Sequence, residues 1–181
     1  MDTKSTFVTI NFQTLISDNI EHQLRYQDIE FVISYRAFER SGFCNQPLFT
    51  DELVLVAAQH HPRISPHMSD EKYLNEQHAV VMNGGYYSFS LPYYDAPAGK
   101  PLIGYQGTDL NSVMNIVSRT HMVALVPRWL AKTHAGTLNL NIIPLPWMNN
   151  QLPCYLTWHE SASKDKGNMW MKSLLEQAET L

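Results

Sequence analysis

The sequence predicts an α/β protein, and three observations carry that expectation. Residues 31–33, 53–58 and 122–126 are unbroken apolar runs, the mark of strands buried on both faces. Segments of helical spacing lie between strand-like runs, an alternation that suits strands and helices packed in layers. The chain has 181 residues, 44% of them apolar and 17% charged, enough to bury a core in one mid-sized domain or two small lobes.

Residues 6–12 (TFVTINF) alternate, with Val8, Ile10 and Phe12 on one side, and predict a first strand. A helix should follow, opened by a capping box of Asp18 and Glu21 or by Ser17, with Ile20 and Leu24 one turn apart. Residues 29–34 (IEFVIS) complete a strand–helix–strand unit, and its buried second strand suits a parallel sheet. Residues 51–63 hold another buried strand, closed by Pro62.

Composition then changes. Residues 67–77 predict a short polar helix, and residues 78–85 (HAVVMNGG) a strand ending in a glycine pair. Residues 86–101 are aromatic, with three prolines, and read as a loop. Residues 107–120 (GTDLNSVMNIVSRT) give the clearest helix, with Thr108 as N-cap and a stripe of Leu110, Val113, Met114 and Val117. A buried strand, residues 122–126, ends at Pro127 before another short helix. Residues 140–146 and 154–160 predict two more strands. Residues 165–179 predict a closing amphipathic helix with Trp170, Met171, Leu174 and Leu175 inward.

Several functions are disfavoured by composition. A net charge of −4 offers no basic face for gripping nucleic-acid phosphates. Cys44 and Cys154 do not make a disulfide framework, and reduced thiols suit a cytoplasmic protein. No apolar run reaches the ~20 residues needed to cross a bilayer, and residues 1–10 lack a signal-peptide core. The eight histidines show no metal-ligand spacing. His60 and His61 are adjacent, so on a strand they point to opposite faces, and His121 and the WHE at 158–160 stand apart. There is no GxSxG elbow, no phosphate-binding glycine loop and no defensible carboxylate pair, so neither an enzyme nor a cofactor is expected.

A binding site is better supported. Ligands of parallel sheets gather beyond the carboxyl ends of the strands, where helix N-termini offer free N–H groups. Three places fit: Ser17 at the first helix start, Asn83–Gly84 after a strand, and Gly107–Thr108 opening the clearest helix. Each also suits ordinary turn and cap chemistry. Together they suggest a polar cleft between two lobes, with the aromatic loop at 86–94 beside it.

Two stretches resemble one family. PLFTDELVLVAAQHHPRI (residues 47–64) is similar to the hinge segment of LysR-type transcriptional regulators, where the chain passes between lobes. GTDLNSVMNIVSRTHMVALVPRWLA (residues 107–131) resembles the second lobe's ligand-facing helix and the GlGialLP strand after it. Thr120 and His121 stand where Gl is common.

The resemblance implies a two-lobed effector domain of the type II periplasmic-binding-protein kind, lacking its first strand and helix. Residues 1–56 and 146–181 would form the first lobe, and residues 57–145 the second. It places Ser17, Ser34 and Tyr35 on the first lobe's side of an effector site, and Met82, Asn83, Gly84, Gly107 and Thr108 on the second's. It implies a small-molecule effector as partner, self-association to dimers or tetramers, and DNA contact only through a winged helix-turn-helix beyond this sequence. The alternatives are an oligomerisation domain without a ligand, and a cytoplasmic small-molecule-binding protein of the same fold.

Overall fold

A computed structural model describes residues 8–12, 19–65, 70–83, 86–87, 101–146 and 151–177. The elements run α1 (Ile20–Arg25), β1 (Val32–Ser34), β2 (Phe43–Ala58), α2 (Asp70–Leu74), β3 (Gln77–Asn83), β4 (Tyr86–Tyr87) and β5 (Leu102–Gly107). They continue with α3 (Leu110–Ser118), β6 (Val123–Pro127), α4 (Arg128–Leu138), β7 (Leu140–Ile143), β8 (Gln151–His159), a 3₁₀ turn (Glu160–Lys164) and α5 (Lys166–Gln177).

One strand organises the molecule. β2 is sixteen residues long, far beyond the buried stretch that its apolar run marks. Its first part, Phe43 to Glu52, pairs antiparallel with β8. Its second part, from Leu53, pairs antiparallel with β6, and from Leu55 with β7 on its other edge. The last β8 pair, Glu52 with Gln151, is followed at once by the first β6 pair, Leu53 with Pro127. The strand order is β1-β8-β2-β6-β3-β4, with β5 also on β3 and β7 also on β2.

The unbroken apolar runs mean what their pattern implies. Leu53, Leu55 and Ala57 of β2 and Val123 and Leu125 of β6 pack on one sheet face with Ile143, Leu145 and Leu152. Val54, Val56, Ala124 and Val126 pack on the other, beneath Val113, Met114 and Val117 of α3 and Leu130 and Ala131 of α4. Both faces are covered, so no position in these runs needs a polar residue. Each fully buried side chain of this size contributes roughly 1.5–3 kcal/mol relative to exposure. Asn139, with φ 53°, ends α4 in the left-handed region that asparagine tolerates.

Several expectations fail here. Residues 8–12 form no strand, and Val8, Ile10 and Phe12 are exposed. Alternation alone makes no strand without a ladder partner, and none is present among the described residues. β1 runs antiparallel to β8 rather than inside a parallel unit, and Ile33 is exposed because only one face of β1 is covered. α1 starts after Asn19, without a side-chain cap; Glu21 instead accepts from Arg40 at 2.7 Å. Ser17 and Asp18 lie outside the described residues.

Trp170 and Leu174 of α5 are exposed, not inward. The helix meets a small cluster of Leu48, Leu156 and Trp158 chiefly through Leu175, so one residue per two turns suffices. β5 was not expected at all: LIGYQG has too little alternation to mark a strand, and it forms by parallel pairing with β3.

Candidate functional site at the lobe junction

The register of the strands brings several of the expected residues towards one junction. β3 is parallel to β5 and to β6. β6 ends at Pro127, opposite Leu53, where β2 passes from one ladder to the other. The carboxyl ends of three parallel strands therefore face this junction. β1 runs parallel to β2 through their shared neighbour β8, so Ser34 and Tyr35 leave β1 on the junction side. Ligands of parallel sheets gather at such strand ends.

Each predicted residue has a definite place. Ser34 closes a local turn, its hydroxyl donating to the Arg36 carbonyl at 2.6 Å. Tyr35 and Met82 both pack against the core cluster around Leu53 and Leu125, which brings the end of β1 and β3 to one apolar wall. Asn83 ends β3. Gly107 ends β5 opposite Val81 and is buried; a Cβ there would lie 3.0 Å from the Tyr105 ring. Ser17 and Gly84 lie outside the described residues, as does most of the aromatic loop.

Thr108 is not the N-cap of α3. The residue after it, Asp109, caps the helix, its carboxylate accepting from Ser112 N at 2.9 Å and from the Ser112 hydroxyl at 2.6 Å. These Ser112 bonds hold the Asp109 carboxyl below its usual range. A carboxylate satisfies two donors where a threonine hydroxyl satisfies one, so Asp109 wins the position.

Sequence reasoning missed the residues that bridge the two ladders here. Trp129, in the first turn of α4, donates its indole N–H to the Tyr35 hydroxyl at 2.7 Å. Its backbone N–H donates to Asp51 of β2 at 3.2 Å. The neighbouring Arg128 pairs with Glu52 at 2.6 Å. Burial pushes the Tyr35 hydroxyl up to about 12, against the lowering pull of the indole donor, so it stays protonated. Cys154 beside this wall is raised to about 11, again chiefly by burial, and is no nucleophile. The available signal was the acidic pair Asp51–Glu52 just before one buried run and Arg128–Trp129 just after the other. Only pairing of the two strands makes them neighbours.

Histidines behave as hydrogen-bonded structure. His61 Nδ1 accepts from Ile64 N at 3.0 Å and its Nε2 meets the His121 carbonyl at 2.9 Å. His78 is fully buried against the Tyr73 carbonyl. No group of three potential metal ligands gathers among the described residues. No helix among them is long and apolar enough to cross a membrane.

The profile of the LysR substrate binding domain matches residues 4–178. The chain belongs to the LysR-type transcriptional regulators, a family of regulators rather than enzymes, and carries their effector-binding domain. It is 47% identical over 168 residues to the HTH-type transcriptional regulator LeuO of Escherichia coli, a match covering 93% of this chain and 54% of that protein. Nodulation protein D 1 of Rhizobium tropici is 25% identical over 171 residues, covering 93% of this chain and 56% of that one. The chain thus spans about half the length of the curated relatives it matches.

Solved structures share the fold. A probable transcriptional regulator, PA0477 of Pseudomonas aeruginosa, superimposes with a TM-score of 0.76 at 24% identity, over 87% of this chain and 52% of that one. The sulfate-bound OxyR2 E204G regulatory domain of Vibrio vulnificus gives 0.72 at 17%, over 91% and 78%. Both likenesses support the two-lobed α/β architecture.

Proposed function

We propose that this region senses a small effector bound between the lobes, and that lobe geometry then sets how copies of the regulator assemble on DNA. Residues 1–56 with 146–181 form one lobe in this reading, and residues 57–145 the other. The observation that carries it is the convergence of β1, β3, β5 and β6 on one junction, with Tyr35 and Met82 on a shared wall. Ser34, Asn83, Gly107 and Thr108 border the same edge, and Ser17 and Gly84 belong to it by family resemblance. Ligand binding acts by shifting a population of lobe arrangements. The protein works in the cytoplasm, and operator contact falls to a part of such regulators outside the matched half.

A second reading keeps the family and drops the ligand, leaving an oligomerisation surface. The exposed Met169, Trp170 and Leu174 on α5 favour it. A thermal-unfolding screen separates the two, using small carboxylates, aromatic acids, bile acids and cyclic dipeptides, with light scattering for mass. Saturable stabilisation by one class, reduced in Thr108→Ala, supports the effector site. A folded assembly that no class stabilises supports the oligomerisation reading.

A further inference from the structure

Three bonds join Arg128–Trp129 to Tyr35, Asp51 and Glu52 across the junction. Trp129 is half exposed, at 50%, yet both its N–H groups are committed: one to Tyr35, the other to Asp51. An exposed tryptophan held at both its indole and its backbone N–H is fixed by those bonds rather than by burial. Its partners come from two separate elements, the end of β1 and the middle of β2. α4 otherwise packs through Leu130 and Ala131 on the cluster of Val54, Val56, Ala124 and Val126.

The first turn of α4 supplies the donors because nothing within the helix can take them. Its N-cap is Pro127, which has no side chain able to accept, so the orphan N–H of Trp129 is met by Asp51 from outside. Arg128 adds the third bond, reaching Glu52 through Nη2 at 2.6 Å.

We infer that the first turn of α4 is an interlobe latch, with Trp129 as its bolt and Tyr35, Asp51 and Glu52 as its keepers. It holds one lobe arrangement. The inference rests on the two-lobed architecture and not on any ligand, so it stands or falls apart from the effector reading. Opening the latch frees the Trp129 indole and the Arg128 guanidinium at the junction without unfolding either core.

Hydrogen exchange by NMR on the whole chain tests it. Four tryptophans give four indole N–H signals, and Trp129→Phe assigns the one that matters. Tyr35→Phe removes the indole's acceptor and Asp51→Ala removes the amide's. Each should speed exchange at Trp129 about tenfold while the amides of residues 53–57 and 123–126 stay protected. Asp51→Asn keeps an acceptor and should remain within threefold of the original. Unchanged exchange at Trp129 in both Tyr35→Phe and Asp51→Ala overturns the latch. So does an equal rise across all core strands, which would make these bonds part of one cooperative fold.

Discussion

His78 should make this protein acid-sensitive by an amount its surroundings set. The side chain is second in β3, is fully buried, and contacts the Tyr73 carbonyl at 2.9 Å and the Tyr73 ring at a centroid distance of 5.8 Å. Burial lowers its pKa from 6.5 to about 4, outweighing the raising effects of the Tyr73 carbonyl and the Glu76 charge. The folded protein therefore holds His78 neutral where the unfolded chain protonates it. The contribution is fully present above the unfolded value near 6.5 and is lost as pH falls towards 4, below which both states bind the proton. Between pH 7 and pH 5 the loss is about 2 kcal/mol, from a full difference of about 3 kcal/mol.

Urea denaturation at several pH values measures this, with His78→Gln as reference. Glutamine can still donate to the Tyr73 carbonyl but does not titrate, so subtracting its profile removes what the other histidines and the carboxylates contribute. The stability difference between parent and variant should shrink or change sign by about 2 kcal/mol from pH 7 to pH 5. A flat difference over that range would falsify the account of His78 as a buried neutral imidazole.

Two further outcomes are expected. Asp109→Ala should destabilise by about 1 kcal/mol through loss of the α3 cap, lowering Tm by about 3 °C, while Thr108→Ala costs clearly less; equal losses in calorimetry would return the cap to Thr108. Leu125→Ala, at the centre of β6 and 3% exposed, should cost about 2–5 kcal/mol in the same assay; a loss under 1 kcal/mol would mean the core collapses around the gap.

Much of the second lobe was legible in the sequence because its signals are local. The α3 stripe of Val113, Met114 and Val117 is fixed by the helical repeat whatever packs on it. The runs at 53–57 and 123–126 are too apolar for any place but a strand covered on both faces. The family's motifs fall on these same segments. Other strands were less legible. β1 is three residues long and β5 weakly patterned, so pairing rather than propensity decides both. The choice between Thr108 and Asp109 as cap turned on a carboxylate reaching two donors of Ser112, a geometry that residue type leaves open.

The sequence by itself determined the α/β class and the family, since each depends on residues close together in the chain. The tertiary structure alone decided that β2 runs through both ladders, that β1 is antiparallel to β8, and that Trp129 meets Tyr35 and Asp51. Tyr35 and Trp129 are 94 residues apart. Their contact exists only because β2 carries the chain from the β8 ladder to the β6 ladder without a break, and no local pattern encodes which strand lies beside which.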